Sequence, residues 1–381
     1  MRPNERAAAS AAALVLVVGM GFGRFAFTGL YPLMVASHQI SVAGGSYAAS
    51  ANYAGYLAGA LLAGFATRWS GRALFATALT ASVGLMALLA LPLTEAMVVA
   101  LRGVAGMASA LSMVAASHWL FHDRTQRHSA PALFSGVGLG IALSAEGIAT
   151  ASRMGLSAHA MWLALAVGAG ALSVLALLLQ SRAERSPAEP DQAAGPTHPA
   201  LSFSPSGLLT MYGLAGFGYI LTATYLPLLV RTAVSTFDPV HVWAVFGLGA
   251  VPSCFIWHRL HENWGARRSL AVNLSLQAVG VVLPVWHVSA AYIASGLLVG
   301  ATFMGTVTIA MPLARHIAAR WPINPMAAMT LSYGIGQICG PVLAAGLYAR
   351  THSFDGALVA AMMALIAAAG VVAMQQDKYL L

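Results

Sequence analysis

The sequence predicts an all-α polytopic membrane protein of twelve transmembrane helices, arranged as two six-helix bundles related by a pseudo-twofold axis along the membrane normal. Three observations predict it. The 381 residues are 59% hydrophobic and only 8% charged, whereas a soluble globular chain carries about 25% charged residues. Apolar stretches of about 20 residues, each long enough to cross a ~30 Å hydrocarbon core as a helix, recur along nearly the whole length. A glycine signature in the first of them returns at the same place in the second half of the chain. The lengths exclude membrane strands, which need only about 9 to 11 residues of alternating polarity.

The predicted spans cover residues 8–35, 46–67, 73–92, 97–120, 130–151, 160–181, 206–230, 239–257, 268–286, 290–313, 324–348 and 355–375. Residues 1–30 resemble a secretory signal only superficially. The run is too long for one, contains Arg24, and continues to Pro32 without a convincing cleavage site. Residues 182–205 hold Glu184, Arg185, Glu189 and Asp191 among five prolines, a composition that cannot bury a core. They are the expected cytoplasmic linker between an N-terminal bundle, residues 1–181, and a C-terminal bundle, residues 206–381.

The formal charge of +8 does not point to nucleic acid, because the basic residues are scattered through short loops rather than gathered on one domain. Alternating the loops from an inside N-terminus puts Arg2, Arg6, Arg68, Arg72, Arg124, Arg127, Arg182, Arg185, Arg259, Arg267, Arg268, Arg315, Arg320 and Lys378 on one side. Only Arg153, Arg231 and Arg350 fall on the other. Both termini are therefore expected in the cytoplasm, and the bilayer is expected to be a bacterial inner membrane. Cys254 and Cys339 lie in separate apolar spans and have no zinc spacing. The pairs His118/His122 and His258/His261 lack further ligands of suitable geometry, and headgroup contact explains them better than metal. No metal or cofactor is expected.

The first span carries Gly19, Gly21 and Gly23, which let a neighbouring helix approach closely. Arg24, Thr28 and Tyr31 follow on one face. A charge at this depth costs about 2.5 to 3.5 kcal/mol on insertion scales and marks a binding, gating or ion-pairing residue. The second span offers Asn52 and Tyr56 on a common face, each needing a partner from another helix or from a substrate. Loop 64–72 brings Arg68, Gly71 and Arg72, and its counterpart about 194 residues on brings Glu262, Gly265 and Arg267. These are the expected gating loops.

Arg102 lies in the fourth span and Glu146 in the fifth. At 1.5 Å per residue, Arg24 and Glu146 stand about 16 residues from their cytoplasmic ends and Arg102 about 18. That match predicts that Glu146 pairs with one or both arginines, either to lock three helices or to leave a net positive site for an anionic group.

The repeat is visible at three places. Gly216, Phe217, Gly218 and Tyr219 answer Gly21 to Arg24, Pro227 answers Pro32, and Gly334-Ile335-Gly336 answers Gly138-Leu139-Gly140. Six spans per copy keep the two copies in one orientation, and parallel repeats of this kind place a site between them near the midplane. The second copy has no clear intramembrane charge. Its candidates are Tyr219, Thr222, Thr302, Thr306, Tyr333 and Gln337, of which Tyr219, Thr302 and Gln337 lie near the centres of their spans. Pro341 predicts a kink or a weakened backbone ladder in the eleventh span.

These residues resemble the major facilitator superfamily over essentially the full length, and more narrowly its YbfB/YjiJ-like branch. The resemblance rests on residues 21–25 with 31–34, on Ala-Asn-Tyr-Ala-Gly-Tyr-Leu at 51–57, and on residues 218–227, 300–305 and 334–341. The segment around Arg102 is similar to the superfamily's arginine motif of the fourth helix, linked there to proton coupling. Loop 64–72 matches the superfamily's gating loop in part, with Arg68 at a position usually acidic, and the fifth span lacks the Gly-Pro pair of drug antiporters. The resemblance implies a secondary active transporter but no settled substrate; the charged first half facing a neutral, aromatic second half adds the expectation of a small organic solute, anionic or amphiphilic, carried by alternating access with proton coupling by a monomer. Efflux or uniport of a hydrophobic compound is the alternative within that class. A membrane enzyme would need a nucleophile, metal or cofactor constellation that these residues do not assemble. A sensor would ordinarily carry an appended signalling domain.

Overall fold

In the computed structural model, residues 3–66, 70–185, 204–233, 238–317 and 325–375 are described. The predicted linker falls largely outside them, as does Arg68 of the first predicted gating loop. The described residues are almost entirely helical. The first half contains α1 (Asn4–Ala36), α2 (Val42–Ala66), α3 (Gly71–Leu89), α4 (Glu95–Asp123), α5 (Ala130–Arg153) and α6 (Ala158–Glu184). The second begins with α7 (Pro205–Arg231). A continuous run, Pro239–Val282, follows and is broken at Gly265, which separates α8 from α9. Then come α10 (Ser289–Ile317), α11 (Pro325–Thr351) and α12 (Asp355–Met374). Among the described residues, ten helical runs are apolar and long enough to span a membrane. One of them holds both α8 and α9, and α2 lies outside the ten, so the twelve predicted spans all appear as helices.

Gly265 sits at φ 76°, ψ 167°, a conformation that a residue with a Cβ adopts only under strain. This single residue turns the chain between α8 and α9. Ser70, Thr94 and Ser157 cap α3, α4 and α6, each accepting a backbone N–H three residues on.

Close backbone contact expresses the duplication physically. A Cβ on Gly106 of α4 would collide with the Asn52 carbonyl of α2, and a Cβ on Gly300 of α10 would collide with the Phe246 carbonyl of α8. Both members of the first pair recur 194 positions later. Likewise Gly140 of α5 rides on the Val17 carbonyl of α1, and Gly336 of α11 on the Gly213 carbonyl of α7. In lipid, where tails are as apolar as leucine, this dispersion packing is what holds helices together. The two halves meet along two symmetry-related seams, α5 against α8 and α2 against α11.

Gly106→Ala and Gly300→Ala are expected to lower the melting temperature of the purified protein, since overpacking at a close contact costs about 1 to 3 kcal/mol. Gly84→Ala is the control. Its added Cβ meets nothing within 4 Å, and helix propensity alone favours alanine by roughly 1 kcal/mol.

Candidate substrate site between the halves

The centre of the molecule is organised by a departure from α-helical geometry. Within α1, residues Val17–Phe25 form a π-helix, and all nine are buried. Such segments are rare and frequently occur at functional sites. Three glycines leave its carbonyls uncovered, and side chains from neighbouring helices reach them. Ser109 of α4 donates to the Gly19 carbonyl at 2.7 Å, and Ser144 of α5 lies 3.5 Å from that of Gly21. Arg102 of α4 donates to Gly23 at 2.9 Å and to Arg24 at 2.8 Å. Trp243 of α8, from the other half, donates to Phe25 at 3.0 Å.

Arg102 thus acts as a clamp on the backbone of α1. Its guanidinium is buried, lies 4.6 Å from the ring centroid of Phe27, and has no carboxylate within ion-pair distance among the described residues. Two carbonyl dipoles and a ring face replace water around the charge. Asn52 also serves this joint, donating to the Arg102 carbonyl at 2.9 Å.

Arg24 has a different environment. It leaves α1 towards the seam, 3% exposed, with its guanidinium 4.1 Å from the ring centroid of Tyr56, 5.0 Å from Tyr53 and 5.2 Å from Phe25. Among the described residues its one side-chain hydrogen bond crosses to Gln337 Oε1 of α11, at 3.3 Å, and its Nε has no partner. Gln337 in turn donates to the Tyr219 hydroxyl. Tyr219 stacks between Phe303 and Tyr333, and Tyr333 lies against Tyr212. One cation therefore lies against rings of α1 and α2, and Gln337 links it to the aromatic stack of α7, α10 and α11.

The expected triad is not formed. Glu146 points away from both arginines, half exposed, with Oε1 2.9 Å from His241 Nδ1 of α8. Counting residues from the span ends says nothing of rotation about the helix axis, and the carboxylate emerges on another side of α5. Thr302 and Thr306 also face elsewhere. Thr302 bonds the Leu298 carbonyl, Thr306 bonds Asn273 of α9, and Asn273 bonds the Thr302 carbonyl. They lock α9 to α10, and the residue between them in contact with Tyr219 is Phe303. Thr222 is fully buried with no hydrogen-bond partner among the described residues. Composition gave no reason to prefer Phe303, Tyr212 or Trp243 over other buried aromatics. Tyr53, one turn from Tyr56, was the legible signal.

Above Arg24, on the side away from the chain termini, hydrogen bonds join the two halves. Thr28 donates to the Ala223 carbonyl at 2.7 Å, Tyr53 meets Thr224 at 2.9 Å, and Tyr225 donates to Ser46 at 2.8 Å. Ser50 reaches the Ile338 carbonyl and Arg231 that of Pro32. Tyr31 bonds the Val42 carbonyl and stacks on Phe27. Towards the termini, no hydrogen bond between halves is present among the described residues. The described residues of the predicted gating loops make the following contacts within their own halves. Arg72 pairs with Glu184 at 2.8 Å, Arg267 donates to the Ala373 carbonyl at 2.6 Å, and Glu262 meets His258 one turn earlier. Gly71 lies where a Cβ would strike the Asp123 carboxylate.

A family model described as uncharacterised MFS-type transporter YbfB matches residues 16–373. The chain belongs to that family. It is a multi-pass membrane transporter rather than an enzyme. Among solved structures, this MFS-type transporter is similar to a mutant of the nucleoside transporter NupG, at 12% identity with a TM-score of 0.67, covering 96% of this chain and 97% of that one. That likeness concerns the fold. No match is found among curated proteins.

Arg102→Ala is expected to lower thermal stability more than Arg24→Ala. It removes the donors to two buried carbonyls, each costing about 1 to 3 kcal/mol when orphaned, whereas Arg24 gives up one long hydrogen bond. Melting curves of the two variants in one detergent make the comparison.

Proposed function

We propose that this MFS-type transporter carries a small organic anion with an apolar or aromatic body, bound at Arg24, by alternating access. The observation that carries the reading is the state of Arg24. It is a buried cation at the seam of two bundles, with no carboxylate in ion-pair reach among the described residues and a donor left unused. An anion entering the seam would supply the missing counter-charge where water is excluded and the attraction is strong. The aromatic wall of Tyr56, Tyr219, Tyr333 and Phe303 would border the body of the solute as the bundles part, and Gln337 would offer an amide for its polar edge.

Alternating access is supported by where the halves are joined. The hydrogen bonds described above close the seam at and beyond Arg24, and rocking of one bundle against the other would exchange that closure for one nearer the termini. The loops holding Gly71, Arg72, Glu262, Gly265 and Arg267 are the segments that would meet in the second closure. Proton coupling belongs to the same reading, as do termini in the cytoplasm of a bacterial inner membrane, which the arginine distribution favours. One chain supplies both walls of the site, so a monomer suffices.

A thermal-shift panel of aromatic and aliphatic carboxylates against their neutral amides tests the site on purified protein. Carboxylates are expected to stabilise the wild type selectively. Arg24→Gln is expected to weaken the binding by roughly ten- to a hundredfold, the loss of one charge-assisted hydrogen bond of about 1.5 to 3 kcal/mol. Equal stabilisation of wild type and Arg24→Gln would sink the assignment.

For coupling, the solute so identified is expected to accumulate in proteoliposomes under an imposed pH gradient and to leak back when a protonophore is added. Flux that ignores the gradient would rule coupling out.

A further inference from the structure

The departure of Glu146 from the arginines places it in a second polar cluster. Glu146 and Arg153 stand two turns apart on α5 and converge on one residue of α8, His241. Its Nδ1 lies 2.9 Å from Glu146 Oε1 and its Nε2 2.7 Å from Arg153 Nη2. A guanidinium can only donate and an ionised carboxylate can only accept. The partners therefore assign the hydrogen to Nδ1 and the lone pair to Nε2, which is the neutral imidazole. A proton added at Nε2 would set N–H against N–H and charge against like charge. The Arg153 contact would then break, while the Glu146 contact would become an ion pair.

We infer that His241 is a proton-binding site of this transporter, and that its protonation releases Arg153 and loosens the outermost contact of α5 with α8. The inference rests on the alternating-access reading. Both partners belong to the first half and His241 to the second, so the bond made or lost is one between the moving bodies. The Glu146 side chain is 53% exposed and that of His241 24%, so the cluster is not sealed inside the helix packing. Other charged groups nearby are already engaged. Asp238 caps the Val240 amide, and Arg231 of α7 donates to the Pro32 carbonyl. On α1 Tyr31 donates to Val42, while Tyr292 of α10 and Asp355 of α12 both bond His287. Histidine is the side chain whose charge changes in the range of pH across which such a gate would work.

The test measures the seam directly. Spin labels at Met154→Cys and Val288→Cys, on exposed positions of the two halves, are introduced into a Cys254→Ala/Cys339→Ala background in lipid nanodiscs. Distances are then recorded from pH 8 to pH 5. The wild-type background is expected to shift towards longer distances on acidification, by roughly tenfold in the ratio of the two populations, a typical coupling. His241→Gln can donate and accept without titrating, and is expected to abolish the shift. Arg153→Ala is expected to hold the long distance at every pH. A shift of unchanged size in His241→Gln overturns the inference. Gly247→Trp separates this failure from that of alternating access, because a side chain at Gly247 must wedge against the backbone of α5 at Gly138 and Ala142. If the wedge lengthens the distance and acid does not, the proton site is wrong and the rocking motion stands. If neither does, both are wrong.

Discussion

The glycine-rich π-helical segment of α1, Val17–Phe25, is the constraint on which the rest of the site depends. It is a stretch of backbone used as a ligand. Serines from α4 and α5, the Arg102 guanidinium and the Trp243 indole all donate to its carbonyls. In an apolar solvent a carbonyl has no water to fall back on, so these donors fix α1 against three helices, α4, α5 and α8. Arg24 is placed by that scaffold, and the direction of its side chain follows from the segment's geometry.

Two buried arginines meet at the same point of the α1 backbone, yet they are used differently. Arg102 is surrounded by dipoles of its own half and contributes its charge to holding α1. Arg24 is surrounded by ring faces, reaches one amide oxygen across the seam, and keeps a donor unused. Aromatic quadrupoles attract a guanidinium by about 0.5 to 2 kcal/mol each, enough to keep the charge in place but not to neutralise it. A site of this kind favours a ligand that brings the anion.

The duplication is exact in packing and inexact in chemistry. Glycine contacts of α2 with α4 and of α1 with α5 recur in the second half at offsets of 194 and 196, because close approach needs only the absence of a side chain. Arg24 is answered by Tyr219, and Arg102 by Gly296. The clamp and the cation are thus confined to one half, and the second half supplies aromatic and amide surface in return. The α5–α8 seam is likewise polar at its outer end, where Glu146, His241 and Arg153 meet.

Hydrophobic run length, glycine spacing and the repeat offset were sufficient to read the twelve helices, their order and the importance of Arg24 from sequence. These are properties of distance along the chain, and a bilayer turns distance along a helix into depth. Rotation about the helix axis has no such reference. Glu146 has the wrong azimuth for the arginines, Thr302 turns towards Asn273 while Phe303 faces Tyr219, and the π-segment itself alters the angle of everything after it. The sequence by itself determined where each helix runs along the chain and which residues fall near its middle. Which of them touch was decided only by tertiary structure, because contact depends on how neighbouring helices are rotated and how closely their backbones pack.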